Sequence, residues 1–218
     1  MRVGEWILDL LFPPKCAFCG GLLREEEDGI CARCRSDLPW TGDRSGKCDF
    51  IRRYTAPFYY EGRVRQSLLA YKFEGRPARG AVYGRLIAED LLRRETVDFD
   101  TVTWVPLSRR RERKRGYDQA RLIAEAAAER LGKKALPLLE KIRDVKPQSR
   151  LRTEEARRAN ISGCYRVRDI PGTEGRRILI VDDIVTTGAT LSECARMLML
   201  AGAEETLGAA VACHRDDE

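Results

Sequence analysis

Residues 177–191, RILIVDDIVTTGATL, decide the fold of this 218-residue chain. Residues 178–181 form a short apolar run rich in β-branched side chains, which favours a central strand covered on both faces. Asp182 and Asp183 are therefore expected at the carboxyl end of that strand. Ligands bind at this edge of open α/β sheets, and two adjacent carboxylates there can accept hydrogen bonds from a vicinal diol or hold a hard cation such as Mg²⁺.

A turn of small and hydroxyl residues follows the two acids and leads into a predicted helix. Backbone N–H groups and hydroxyls in such a turn can surround a phosphate at the positive end of the helix. An ordinary buried strand that ends in a solvated acidic turn is the alternative. A Walker B strand is a further competitor, but the sequence contains neither GxxxxGK[ST] nor GxGxxG to hold nucleotide phosphates. The predicted phosphate-binding residues are Thr186, Thr187, Gly188, Ala189 and Thr190.

Residues 177–191 resemble the phosphoribosyl diphosphate (PRPP) signature of the type I phosphoribosyltransferases. The other motifs of the chain extend this resemblance, in their order, to the competence protein F (ComF) family. It covers nearly the whole sequence. These motifs are two Cys-x-x-Cys pairs, Tyr60-Glu61-Gly62, Tyr71-Lys72-Phe73, Val105-Pro106-Leu107, Arg115-Gly116-Tyr117-Asp118-Gln119, Pro147-Gln148 and Arg158-Ala159-Asn160-Ile161.

The resemblance implies an α/β fold of the type I phosphoribosyltransferase kind, a mainly parallel sheet with helices on both faces, plus a small N-terminal zinc ribbon or knuckle. It also implies that PRPP or another ribose-phosphate is the ligand, that Asp182 and Asp183 hold the ribose with Mg²⁺, and that the protein acts in DNA uptake with other competence proteins. Two residues depart from the family pattern: Asp118 stands where Asn is usual, and Lys146 stands where Thr is usual. The residues implied in pyrophosphate binding are Pro106, Arg109 and Arg115, and those in a hood loop over the ligand are Gln148, Arg158 and Asn160.

Four cysteines near the start of the chain form two close pairs. Cys16 and Cys19 are separated from Cys31 and Cys34 by 11 residues, which is the spacing of a four-thiolate zinc site. Four such ligands leave no open position, so the predicted zinc is structural. Disulfides and an iron–sulfur cluster are the alternatives. Because no export signal is expected and a reducing cytoplasm disfavours disulfides, we predict a cytoplasmic zinc protein in which Cys48 is the one plausible substitute ligand.

The chain divides into a small N-terminal part and one main domain. A polar connector between residues 41 and 49 marks the boundary, so we predict a zinc module with an N-terminal helix at residues 1–48 and the main domain at 49–218. Strands alternate with helices in that domain, as in a mainly parallel sheet. No segment of the sequence approaches the ~20 apolar residues of a membrane span. The strands are predicted at residues 55–60, 100–105, 163–167, 178–181 and 207–212, and the helices at residues 62–73, 78–93, 116–131 and from residue 188.

Positive charge is concentrated in one part of the chain. The net charge is +6, but residues 108–158 alone carry 17 Lys or Arg and eight Asp or Glu, a local net of +9. The densest run, residues 109–115, follows a predicted strand and is expected as a basic loop near Asp182, where arginine forks suit phosphate oxygens. A solvated basic loop is the alternative. Residues 142–161 are predicted as an irregular loop that is too polar for the core.

The sequence leaves three functions open. One is a phosphoribosyltransferase that transfers ribose 5-phosphate from PRPP, although no acceptor pocket is recognisable and turnover is therefore undecided. Another is a competence factor that binds single-stranded DNA through the basic segment and zinc ribbon. The third is a protein that senses PRPP without turnover. The aromatic residues that could stack on bases, although such residues more often lie in the core, are Tyr54, Tyr59, Tyr60, Tyr71 and Phe73.

Overall fold

A mainly parallel sheet carries the main part of the chain in this computed structural model, which describes residues 13–145 and 153–215. The predicted N-terminal helix, Lys146 and Gln148 lie outside the described residues. The helices are α1 (Ala32–Asp37), α2 (Gly62–Phe73), α3 (Arg79–Arg93), α4 (Arg109–Arg115), α5 (Gln119–Arg130), α6 (Glu154–Ile161) and α7 (Ala189–Leu200). The strands are β1 (Gly46–Cys48), β2 (Ile51–Thr55), β3 (Phe58–Tyr59), β4 (Thr101–Trp104), β5 (Lys134–Ala135), β6 (Leu139–Lys141), β7 (Tyr165–Val167), β8 (Arg177–Val185) and β9 (Glu205–Cys213).

The strand order of the sheet is β1-β2-β9-β8-β4-β5, and β3 also pairs with β9. All of these pairings are parallel except that of β1 with β2. The central strand β8 pairs with β4 as far as Val181, and with β9 as far as Val185. A separate antiparallel pair joins β6 to β7. The predicted mainly parallel sheet is confirmed.

Two apolar clusters cover the two faces of the sheet, as the alternation of strands and helices predicts. One contains residues of α2, α3 and α5, and the other contains residues of α6, α7 and the β6–β7 pair. Helices α3 and α5 approach closely because Gly84 has no side chain: a Cβ there would lie 2.5 Å from the carbonyl oxygen of Ile123. This close packing leaves no space between the two helices and allows both α3 and α5 to pack on the sheet.

The N-terminal cysteine module shares the first of these clusters. Cys16 and Cys34 are buried there with Phe18. The centroid of the Phe18 ring lies 5.2 Å from that of Phe58 and 5.8 Å from that of Tyr83. The hydroxyl of Ser67 in α2 donates to the backbone oxygen of Ala17. The boundary at residues 48 and 49 stays a prediction, but the parts on either side of it are packed into one core.

Four predicted elements differ from the structure. The prediction of one continuous strand at residues 55–60 is wrong, because Pro57 has no N–H to donate and separates β2 from β3. The basic run is a helix, α4, not a loop: the Ser108 hydroxyl caps it by accepting from the N–H of Arg111, and Gly116 ends it with a φ of 83°. Residues 142–161 are not all irregular, because the segment contains α6, and Ile161 is buried. The two acids lie inside β8 rather than at its end, because β8 continues four residues beyond the predicted strand and pairs with β9 as far as Val185.

Within the described ranges, no helix has both the length and the apolar character that are needed to cross a bilayer.

Candidate functional site

The turn between β8 and α7 has a geometry that can accept an anion. Gly188 caps α7 with a φ of 72°, a backbone conformation that favours glycine, and its carbonyl oxygen accepts the N–H of Ser192 at 2.8 Å. The first N–H groups of a helix have no partner within that helix, so those of α7 face out of its positive end. One pocket joins this turn to the end of β8, and it is lined by Asp182, Ile184, Val185, Thr186, Thr187, Gly188, Ala189, Thr190 and Leu191. The structure thus brings the predicted phosphate-binding residues together.

Cys48 forms the wall behind the turn. A Cβ at Gly188 would lie 2.8 Å from the Cβ of Cys48, so any other residue there would meet both an unfavourable φ and a steric clash. Burial raises the pKa of the Cys48 thiol, against a hydrogen bond with Ser192. Cys48 lies against Gly188 in this turn, and the four-cysteine group of the described chain does not include it. The prediction that Cys48 could substitute as a metal ligand is therefore wrong.

The two acids of β8 have different partners. Asp183 forms an ion pair with Lys72 of α2, with 2.9 Å between Oδ1 and Nζ. Asp182 accepts the backbone N–H of Asp183 at 2.8 Å. Burial and the charge of Asp183 raise the pKa of Asp182 to about 8, although Lys72 and Lys141 act in the opposite direction. Asp183 thus contacts a lysine, whereas Asp182 lies in a buried position that opposes its ionisation.

Two lysines of this site are absent from the sequence-based prediction. Lys141, on β6, donates to the hydroxyl of Tyr165 at 3.0 Å, and burial lowers its pKa. No local signal identifies it, because its partners Tyr165 and Asp182 are distant in sequence. Lys72 belongs to the motif Tyr71-Lys72-Phe73, and this motif is the sequence signal that could have identified it as a site residue.

The basic residues of α4 differ in their exposure and in their contacts. Arg115 donates to Gln119 at 2.7 Å and lies 5.3 Å above the ring of Phe73, next to Lys72. Pro106 is buried just beyond β4. Arg109 is exposed, and no contact among the described residues ties it to the acids. Asp144 pairs with Arg110 and Arg111 and accepts from Ser108, so part of the positive charge is already neutralised.

Asp118, which stands where asparagine is usual, has a structural role. Its side chain is 5% exposed and accepts the N–H of Leu107 at 3.0 Å and that of Arg121 at 3.3 Å. It thereby caps α5 and fixes the turn that follows β4. Burial raises its pKa to about 6, although the two N–H donors act in the opposite direction.

The raised pKa of Asp118 predicts that stability depends on pH. Its ordinary value is 3.8, so between about pH 4 and pH 6 the folded state binds more protons than the unfolded state. The stabilising contribution of Asp118 is therefore complete below about pH 4 and is lost as the pH rises through about 6, by up to about 3 kcal/mol. Urea unfolding of the wild type and of Asp118→Asn across this range measures it. The difference in stability, wild type minus variant, should fall with rising pH; a constant difference contradicts the assignment.

One of the hood candidates, Arg158, lies close to the turn that precedes α7. Arg158 of α6 pairs with Asp49 at 3.0 Å, and both residues are close enough to Cys48 to shift its pKa. The backbone oxygen of Asn160 accepts from the Cys164 thiol at 3.4 Å. Gln148 lies outside the described residues. Arg158 is thus linked to the wall of the turn, while its role toward a ligand stays a prediction.

The four predicted zinc ligands converge. The Sγ atoms of Cys16, Cys19, Cys31 and Cys34 all lie within 4.8 Å of one another, and those of Cys19 and Cys31 are 3.7 Å apart. Tetrahedral Zn–S bonds of about 2.3 Å imply sulfur separations of about 3.8 Å, so the group fits zinc.

Backbone N–H groups support these thiolates. Gly21 donates to the sulfur of Cys19, Cys31 to that of Cys16, and Cys34 to that of Cys31, at 3.4 to 3.5 Å. Burial opposes ionisation of Cys16, but its N–H donors outweigh burial and lower its pKa to about 7. A thiolate that is easily formed is the species that zinc requires.

Comparison with known proteins agrees with both parts of the chain. The family model of the double zinc ribbon domain matches residues 7–51, and that of the phosphoribosyl transferase domain matches residues 118–218. Competence protein ComFC of Streptococcus pneumoniae is 27% identical over 88% of this chain and 96% of its own length. DNA utilization protein YhgH of Escherichia coli K12 is 31% identical over 93% of this chain and 88% of its own length. A solved structure of glutamine PRPP amidotransferase from B. subtilis, complexed with ADP and GMP, is similar with a TM-score of 0.42 and 24% identity, over 61% of this chain and 26% of that one. The chain belongs to the ComF family, which includes ComFC and YhgH and joins an N-terminal zinc ribbon to a phosphoribosyltransferase-type domain.

Proposed function

We propose that this chain binds PRPP, together with Mg²⁺, at the carboxyl edge of its sheet. The observation that carries the proposal is one continuous pocket that joins Asp182 to the turn at residues 186–190. A ribose and its 5-phosphate are covalently joined, so their binding groups must also be contiguous. Carboxylates accept from the ribose hydroxyls, and the N–H groups at the start of α7 donate to the phosphate.

The diphosphate would lie toward α4 and the end of β4. Pro106 follows Val105, whose N–H donates to the carbonyl oxygen of Val181, directly before the acids. Arg115 lies near the same edge beside Phe73, and Arg109 is the exposed first residue of α4. When bound, Mg²⁺ supplies positive charge to the diphosphate oxygens. Transfer of the ribose 5-phosphate to a nucleophile is the reaction that this arrangement supports, and the acceptor is the undefined part.

The names of two relatives support a proposal for the biological role. One is named a competence protein and another a DNA utilization protein. We therefore assign the chain to the uptake or processing of DNA in the cytoplasm, with other competence proteins as partners. A chain that binds PRPP and senses it without turnover would use the same pocket.

A second candidate function is binding of single-stranded nucleic acid, and exposure of Phe73 favours it. Its ring is 70% exposed, whereas Tyr59 and Tyr71 are buried. The exposed cations Arg113 and Lys114 precede Arg115, which lies on that ring, so an aromatic face and phosphate-binding charge are adjacent. DNA has no 2-hydroxyl and its 3-oxygen is esterified, so it cannot offer the acids a diol. Nucleic acid would therefore bind on α4 rather than between the acids.

Discrimination between two sugars tests the proposed site. Ribose 5-phosphate should bind at least about tenfold more tightly than 2-deoxyribose 5-phosphate, because the deoxy sugar leaves a buried carboxylate without its hydroxyl partner. Calorimetric titration of each sugar into the wild type measures this ratio. Inorganic phosphate is the control for the turn alone. Equal affinities would mean that the two acids do not bind the sugar hydroxyls. Salt-dependent binding of a DNA strand without binding of either sugar would favour the second candidate.

A further inference from the structure

The ion pair between Lys72 and Asp183 is nearly closed to solvent. The lysine side chain is 20% exposed and the aspartate side chain is 13% exposed, with 2.9 Å between Nζ and Oδ1. A lysine near a surface usually extends its ammonium group into water. Here the charged end turns inward to the acid pair, so the contact is part of the site rather than a surface ion pair.

The backbone beside Lys72 is held on two sides. The hydroxyl of Tyr71 donates to the carbonyl oxygen of Gln119 at 2.9 Å, and the hydroxyl of Tyr117 donates to the carbonyl oxygen of Tyr71. Earlier in α2, Leu68 is fully buried in the cluster that also contains the cysteine module. The ammonium group of Lys72 is therefore positioned by the core and is present before any ligand arrives.

A resident ammonium group changes what the acids can bind. Mg²⁺ requires near-ideal octahedral geometry and loses its water reluctantly. One oxygen of Asp183 already contacts Lys72, and Oδ1 of Asp182 already accepts the N–H of Asp183. A free divalent cation at this pair would also meet the positive charge of Lys72 at close range. The resting arrangement thus does not fit direct binding of free Mg²⁺.

We propose that Lys72 is the built-in counter-ion of Asp183, and that it excludes free divalent cations while leaving the second carboxylate oxygen for a sugar hydroxyl. Mg²⁺ then enters only on the diphosphate of the ligand, whose negative charge offsets the cation. Lys72 is a positioning and specificity residue. The inference rests on the proposed function for its ligand, but its metal-exclusion part is measurable without any ligand.

Titration with Mn²⁺ alone, followed by electron paramagnetic resonance, tests the exclusion. The wild type should show no Mn²⁺ site at the acid pair. Lys72→Met should gain one site per chain, at least about tenfold tighter than any wild-type binding, because the repelling charge is removed and the carboxylate is freed. Lys72→Met with Asp183→Asn should lose the gained site. Lys134→Met is the control, because Lys134 pairs with Thr101 at the opposite end of the sheet.

Each outcome decides the proposal. A wild type that binds Mn²⁺ at Asp183 as tightly as Lys72→Met overturns it, and so does a Lys72→Met chain that folds but gains no site. Thermal unfolding and zinc content establish the fold, and Lys72→Gln gives a second neutral variant if methionine disturbs α2. Titration of PRPP with Mg²⁺ into the same chains separates the two claims. If Lys72→Met gains a Mn²⁺ site but no chain binds PRPP, the role of Lys72 in excluding cations is supported and the proposed function is contradicted.

Discussion

Loss of the zinc is expected to destabilise the whole protein, not only its N-terminal part. Cys34→Ser or removal of the metal by a chelator should lower the free energy of unfolding by at least about 3 kcal/mol, and the melting temperature by about 10 °C. The reason is the shared core: Cys34 is fully buried, and Phe18, which lies between Cys16 and Cys19, packs on Phe58 and Tyr83. Calorimetric unfolding with zinc analysis measures both quantities.

Cys213→Ser is the matched control, since Cys213 is a half-buried cysteine outside the four-thiol group. It should keep one zinc per chain and nearly the wild-type melting temperature. Two separate unfolding transitions after zinc removal would contradict the shared core. A Cys34→Ser chain with one full zinc would contradict the four-cysteine site.

Replacement of both acids of β8 should abolish ligand binding. In Asp182→Asn with Asp183→Asn, the side-chain shapes remain but the carboxyl acceptors for the ribose hydroxyls disappear, and the half-buried Lys72 loses its partner. The affinity for PRPP with Mg²⁺ should fall at least about 100-fold, which corresponds to about 3 kcal/mol. Ligand-induced stabilisation against heat measures the loss, because stabilisation grows with the logarithm of ligand concentration over the dissociation constant.

Two acids at the other end of the same strand provide the control. Asp98 and Asp100 pair with Arg177 at the start of β8. The double variant Asp98→Asn with Asp100→Asn removes the same number of carboxyl groups at a place away from the pocket. It should keep the wild-type ligand affinity, and an equal loss in both double variants would mean that net charge, not the site, governs binding.

The parts that sequence predicts best are those whose information is local. The apolar run of β8, the glycine at a left-handed φ before α7 and the paired cysteines each specify their structure within a few residues. The pairing of Lys72 with Asp183 and the approach of Lys141 to Asp182 depend on elements that meet only in the folded chain. No local pattern contains that information.

The basic run shows how a local signal can be hidden. Residues 109–115 carry charge on all sides and have no apolar periodicity, so the sequence favours a loop. Ser108 and Gly116 nevertheless stand where a helix cap and a helix end are expected, and they bound α4 in the structure. Capping residues were the more reliable evidence here, because they act through hydrogen bonds that do not depend on the hydrophobic pattern.

Calorimetric titration of PRPP with Mg²⁺ into the wild type and into Asp182→Asn with Asp183→Asn decides whether the two acids belong to a PRPP site. We expect one ligand per wild-type chain and no measurable heat of binding in the variant, with the variant still folded and containing zinc. Absence of binding to the wild type, or equal binding to both chains, would contradict a phosphoribosyl site at this edge of the sheet.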